Sequence, residues 1–169
     1  MHAARATAPA PVAPNRRNRR RSMWLSRRVA WTYVEAARLL KAGQPNWRFQ
    51  LLGALDEGNR SGIGASELQI WVEQGIVEHL GHADDVRPHI AAATAAVLPS
   101  YREGLPKSLL EAAACALPLV TTDASGCREV VTDGETGLLV PVADAGALAR
   151  ALGLRGVALL PGRARGGHG

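Results

Sequence analysis

Cysteine is nearly absent from this sequence, with only Cys115 and Cys127 in 169 residues. That excludes a disulfide scaffold, and the spacing of the pair fits no metal or redox motif. No segment resembling a secretory signal precedes them, so two free thiols in a reducing compartment are expected. No run of eighteen apolar residues exists, which excludes a transmembrane helix as the organising element. Acidic residues are missing from both ends. Residues 1–28 carry eight arginines and no acid, and residues 153–169 carry three arginines and no acid. The segment between them, 29–152, holds nine basic and fifteen acidic side chains, a net charge of −6. The overall charge of +5 therefore belongs to the ends, and a nucleic-acid reading built on it would rest on tails. With 47% hydrophobic and 21% charged residues, the composition is that of one soluble globular domain.

Residues 1–22, MHAARATAPAPVAPNRRNRRRS, alternate Ala and Pro before an Arg/Asn run. On composition, 1–28 is expected to be a disordered tail, as is 153–169. Three uses compete for the first tail: a basic arm for RNA or anionic lipid, an organelle transit peptide, or sequence without function. The last is favoured because composition alone is weak evidence.

Between the tails, short apolar runs alternate with helical patterns. Strands are expected at 48–53, 77–80, 95–98, 119–122 and 138–140, with a damaged sixth near Met23–Val29. Helices are expected around Val34–Lys41, over 65–74, from Asp84 and Asp85 toward Ala93, over 108–116, and over 145–152 behind Asp144. The expectation is an α/β domain with a doubly wound parallel sheet of about five strands, spanning 29–152. Such sheets bind ligands at the carboxyl ends of their strands, which directs attention to the loops after Gly53, Gly81, Pro99 and Asp123.

Several motifs fail. SGIGAS at 61–66 has two of the three glycines of a dinucleotide fingerprint, but its loop is too long and Glu67 stands at the third. There is no phosphate-binding Gly-x4-Gly-Lys-Ser/Thr and no Gly-x-Ser-x-Gly nucleophile elbow. His79, His82 and His89 belong to different elements and lack a supporting Cys or carboxylate constellation, so no metal is expected.

The informative stretch is LPSYREGLPKSLLEAAACALPLVTTDASGCRE, Leu98 to Glu129. It starts at a strand end. Gly104 lets backbone approach a ligand, and Pro106 suits the first turn of a helix, where its missing N–H costs nothing. The helix start then offers free amides and partial positive charge to a diphosphate. Glu111, within two turns, can accept from the vicinal hydroxyls of a ribose, while Glu103 lies on the other side of the phosphate position, where a sugar fits. Alone, two glutamates at this spacing would read as solvated carboxylates; the residues around them change the balance.

Pro99, Ser100, Glu103, Gly104, Pro106, Glu111 and Ala112, followed by Thr122, Asp123, Gly126, Glu129, Asp133, Gly134, Gly137 and Pro141, resemble the donor-binding half of family 4 glycosyltransferases. These are retaining enzymes of GT-B fold with a Glu-x7-Glu motif. The resemblance runs from about Arg48 to Leu152. It implies a nucleoside-diphosphate sugar as substrate, with no cofactor. By analogy Glu111 would hold the ribose, Glu103 would contact the transferred sugar, and the backbone of Gly104 and Leu105, ahead of Pro106, would meet the diphosphate. His82 and Asp85, in the HADD stretch, would border the base. The chain departs from the family in three places. It has no acceptor-binding domain. The Arg and Lys-Gly with which the family clamps the diphosphate do not precede the Val34–Lys41 helix; Arg27 and Arg28 are candidate substitutes, but the favoured reading of them is a continuation of the basic tail. The long closing helices are missing after Leu152.

The reading is a glycosyltransferase donor domain, cytoplasmic or peripheral at the inner face of a membrane, whose partner would be a missing N-terminal acceptor domain. The alternatives are a sugar-nucleotide epimerase of the same fold and a non-catalytic remnant or partner subunit.

Overall fold

The computed structural model describes residues 2–5 (backbone only), 26–55, 58 and 60–153. In chain order its elements are β1 (His2–Arg5), α1 (Arg27–Gly43), β2 (Phe49–Leu52), α2 (Ala65–Glu73), β3 (Glu78–Gly81), α3 (Arg87–Ala91), β4 (Ala93–Leu98), α4 (Lys107–Ala114), β5 (Leu119–Thr122), α5 (Cys127–Val130), β6 (Gly137–Val140) and α6 (Ala145–Leu152). The six strands form one sheet in the order β3-β2-β1-β4-β5-β6. β2 and β3 are parallel, as are β4, β5 and β6. Because β1 runs antiparallel to both β2 and β4, the other five strands all point the same way.

The five expected strands are all present, and the doubly wound α/β reading holds. Two expectations need correction. The tail 1–28 is not irregular throughout. His2–Arg5 lies at the centre of the sheet, pairing His2 with Leu51 on one side and with Val97 on the other. The reason is backbone pairing. Without it β2 and β4 would each present a row of unmatched N–H and C=O groups, and four residues without proline satisfy both. The sheet is therefore mixed and six-stranded. The sixth strand is also not near Met23–Val29. Ser26 makes only an isolated bridge to Gly62, and Arg27 already begins α1, two residues before the expected domain boundary. The rest of the expected tails, Met1, 6–25 and 154–169, and with them Trp24, lie outside the described residues.

Alternation along the strands divides the core into two layers. Phe49, Leu51, Ala95, Val97, Val120 and Val140 face α1, α2 and α6, meeting Tyr33, Val34, Leu40, Leu68, Trp71, Leu148 and Leu152. Ala96, Leu98 and Leu119 face the other way, against Ile90 of α3, Leu109 and Ala112 of α4 and Cys127 of α5. Local chemistry fixes the helix starts. Ser26 Oγ accepts from the Val29 amide to open α1, and Asp144 Oδ1 accepts from the Ala147 amide at 2.7 Å to open α6.

The strand order reverses direction across β1. The chain proceeds outward from β2 to β3, then crosses to β4 and proceeds outward again through β5 to β6. In open α/β sheets the crevice at such a switch point, at the carboxyl ends of the strands, is where ligands bind. Here it is bordered by the loops after Leu52 and after Leu98.

Candidate functional site

The loop after β4 leads to α4 and contains most of the expected site residues. Leu98 ends the strand, and Ser100, only 2% exposed, turns its hydroxyl onto the carboxylate of Glu103. Glu103 is half-buried, Gly104 and Leu105 are exposed, and Leu105 is among the most exposed large apolar residues at 58%. Pro106 stands one position before its expected place: it precedes α4 instead of occupying its first turn, and its carbonyl accepts from the amides of Leu109 and Leu110. Proline has no side chain with which to cap the helix, so the first amides of α4 receive no side-chain cap from it. Glu111 is the fifth residue of α4 and half-buried. Glu103 and Glu111 thus flank one helix start at the carboxyl end of β4.

The floor of this loop comes from β5. Thr121 Oγ1 donates to the Leu98 carbonyl at 2.7 Å, and Thr122 Oγ1 donates to the Ser100 carbonyl. Both threonines are fully buried. Buried hydroxyls without partners are costly, so these two bonds tie the end of β4 to β5. Cys127 lies in the same corner, fully buried, and burial pushes its thiol above the ordinary range. It is a core residue, and both cysteines are free.

Two residues on α1 bear on the site differently. The Arg28 guanidinium carbon lies 5.9 Å from the centre of the Tyr101 ring, within cation–π range, and Thr32 Oγ1 is 3.4 Å from the Tyr101 hydroxyl. Arg28 is therefore held beside the β4–α4 loop. Arg27 turns away to Glu67 on α2, at 3.2 Å. Glu67 also accepts from Trp31 Nε1 at 2.7 Å, and Trp31 meets the Trp71 ring edge-on.

The HADD stretch follows β3 at the same end of the sheet, but β2 and β1 separate that strand from β4. His82 Nε2 pairs with Asp84 at 3.2 Å. Asp85 accepts from the Arg87 guanidinium at 2.8 Å and from the Arg87 amide at 3.0 Å, and this contact holds its carboxyl down at about 2. Asp85 thus orders the start of α3. His79 pairs separately with the Gly53 carbonyl, so the histidines do not converge. Among the described residues no cluster of three or more His, Cys, Asp or Glu side chains is placed to hold a metal ion.

The strand end and helix expected around Glu103 and Glu111 are present, with one carboxylate on each side of the helix start. Sequence reasoning missed Thr122 and Gly126 as supports of that loop, because they come from a different strand and turn, and it did not anticipate the local bond from Ser100 to Glu103. Arg28 carried a signal, its position just ahead of the VEAARLLK helix, which the basic run in front of it obscured.

Comparison with known proteins places this architecture. Residues 22–154 match the family described as glycosyl transferases group 1. The chain is 35% identical over 121 residues to the putative glycosyltransferase EpsD of Bacillus subtilis, covering 69% of this chain and 30% of that protein. It is 39% identical over 118 residues to D-inositol 3-phosphate glycosyltransferase of Kribbella flavida, covering 63% and 27%. The chain therefore spans about a third or less of these relatives. Among solved structures it is similar to sucrose-phosphate synthase from Thermosynechococcus elongatus, with a TM-score of 0.62 and 28% identity over 80% of this chain and 36% of that one. It also shares its fold with Anabaena HepE, solved in complex with UDP, at a TM-score of 0.65 and 23% identity over 76% and 36%. The mixed six-stranded sheet is thus one Rossmann-like half of a GT-B fold, and the chain belongs to the group 1 glycosyl transferases.

Proposed function

We propose that this domain binds a nucleoside-diphosphate sugar and serves its transfer to an acceptor hydroxyl with retention at the anomeric carbon, in the manner of family 4. The observation that carries the reading is the placement of Glu103 and Glu111 on either side of one helix start, at the carboxyl end of β4 beside the sheet's switch point. A diphosphate sits against the Gly104 and Leu105 backbone and the first amides of α4, where aligned peptide dipoles favour negative charge. Arg28, held over Tyr101, adds a cation at the same loop. Glu111 accepts from the ribose hydroxyls. Glu103, oriented by Ser100, accepts from a hydroxyl of the transferred sugar. His82 and Asp85 border the base, with Asp85 ordering that loop through Arg87.

Charge that develops on the leaving diphosphate is stabilised by the α4 amides and Arg28, which are in place before reaction. In this reading the acceptor is held by a separate acceptor-binding domain; the chain itself spans about a third or less of the relatives it matches. No helix among the described residues is long and apolar enough to cross a membrane. The reading puts the domain on the cytoplasmic side, in solution or peripherally at the membrane. Calorimetric titration with UDP, GDP and ADP tests the reading. Saturable binding of at least one is expected; no binding to any at millimolar concentration would overturn it.

A further inference from the structure

Gly126 is the residue on which the donor loop rests. It precedes α5 with φ of 81°, in the left-handed region that side chains disfavour. Conformation is only part of its constraint. A Cβ at this position would come within 2.5 Å of the Glu103 carbonyl oxygen and closer still to that of Gly104. These are backbone atoms, which cannot rotate away as a side chain would. The turn after β5 therefore touches the β4–α4 loop backbone to backbone, at the two residues between the sugar-facing carboxylate and the diphosphate position.

A second tie comes from the same side. Thr122, fully buried at the end of β5, donates its hydroxyl to the Ser100 carbonyl, and Ser100 in turn donates to Glu103. Residues 122–126 thus reach the loop twice, once ahead of Glu103 through Ser100 and once at Glu103–Gly104 through Gly126. A Cβ on Gly104 itself would meet nothing within 4 Å, so the loop has open space beside Gly104 although Gly126 presses on its backbone.

We infer that Gly126, assisted by Thr122, is a positioning residue: it sets the depth of the Glu103–Gly104 backbone and so lets a nucleoside diphosphate be gripped there. The inference rests on the donor-site reading above. Residues that hold a binding loop by contact need to be right within about half an ångström, and an added methyl exceeds that.

Gly134 supplies the control. It too is left-handed, with φ of 77°, but a Cβ there would meet nothing within 4 Å. Gly126→Ala and Gly134→Ala therefore both place a side chain at positive φ, and only the first intrudes on the donor loop. The two variants, Thr122→Val and the parent are titrated with UDP, GDP and ADP. Thermal unfolding and the amide resonances of Gly104 and Leu105 are followed in parallel. Gly134→Ala is expected to bind like the parent. Gly126→Ala is expected to bind at least tenfold more weakly, to show displaced Gly104 and Leu105 resonances before ligand is added, and to lose more thermal stability than Gly134→Ala while remaining folded. Thr122→Val is expected to weaken binding less, in the same direction, and it decides the matter if Gly126→Ala does not fold. Parent-like affinity in Gly126→Ala, or in Thr122→Val when the former is unfolded, would overturn the inference while leaving the donor site standing. Equal loss in Gly134→Ala would overturn it as generic strain. A parent that binds none of the three nucleotides removes the donor site and this inference together.

Discussion

Ser100 donates its hydroxyl to the carboxylate of Glu103 three residues on, from a position only 2% exposed. The serine is itself held through its carbonyl by Thr122. Glu103 is thereby oriented before any ligand arrives. A preoriented carboxylate accepts a hydrogen bond without first losing rotamer freedom.

Ser100→Ala should therefore separate sugar recognition from nucleotide recognition. Affinity for the nucleoside diphosphate alone should stay near that of the parent. The extra affinity contributed by the sugar should fall by about tenfold, the worth of one hydrogen bond to a charged group. Calorimetry with a nucleoside diphosphate and its sugar conjugate measures both. Equal weakening toward the two ligands would count against the role assigned to Glu103.

The legible part of this fold was its periodic part. Phe49–Leu52, Ala93–Leu98 and Leu119–Thr122 announce themselves as short apolar runs because both faces of these strands are covered. Asp144 announces α6 because its carboxylate serves the helix start locally. His2–Arg5 could not be read this way. HAAR has no strand signature of its own, and only the two neighbouring strands make it one. The single turn Cys127–Val130 is too short for a periodic pattern. In the candidate site, Glu103 and Glu111 could be singled out because their spacing is local. Thr122 and Gly126 act on residues 22 positions away, and nothing in a one-dimensional pattern records such a contact.

Glu111→Ala should weaken nucleoside-diphosphate binding by about 1–3 kcal/mol, the range for losing charged hydrogen bonds to hydroxyls. Its position on the second turn of α4 puts the change outside the backbone that meets the diphosphate. The corresponding 2′,3′-dideoxynucleotide should discriminate poorly between parent and variant, since the hydroxyls Glu111 accepts from are then gone. An unchanged affinity for the ordinary nucleotide would reject the ribose assignment.

Across β2 and β3, Arg48 grips Glu78 with two hydrogen bonds of 2.6 and 2.7 Å, and Gln50 adds a third at 2.8 Å. The Arg48 guanidinium foremost, with Gln50, holds the Glu78 carboxyl below its usual range. The Glu78 side chain is 40% exposed, so water screens the pair and Glu78→Gln should cost only about 0.5–1 kcal/mol at neutral pH. A lowered folded-state pKa means that this contribution is present above the unfolded carboxylate's value of about 4.3 and fades as pH falls below it. Urea unfolding at pH 7 and pH 3 should show the gap between parent and variant closing at the lower pH.

Gly137 opens β6, where a Cβ would meet the Leu119 carbonyl oxygen at 2.6 Å and Val131 Cγ1 at 2.8 Å. Gly137 and Leu119 are register partners, so the intrusion falls on the β5–β6 ladder itself. Gly137→Ala should destabilise the fold by about 1–3 kcal/mol, as overpacking does. Because β6 is the edge strand, the damage should be local, with early amide exchange in Leu138–Val140 and retained protection in β4. A denaturation midpoint equal to the parent's would show that β6 shifts freely.

Cys127 is fully buried against Leu109 and Leu119, and burial drives its pKa up, while Cys115 is half-buried. In the folded protein a thiol reagent should therefore modify Cys115 quickly and Cys127 only after denaturant is added, because the thiolate is the reactive form. The same shift carries a stability consequence. Above the ordinary thiol value of about 8.5 the unfolded chain releases this proton while the folded chain keeps it, so unfolding is favoured as pH rises. Cys127→Ala removes that slope but loses the packing of the sulfur, so it should be less stable than the parent at pH 7. The difference should shrink at pH 10, where the parent alone bears the cost of keeping its thiol protonated. Urea midpoints of the two proteins at both pH values test this, and a difference that widens with pH would contradict the burial-driven shift.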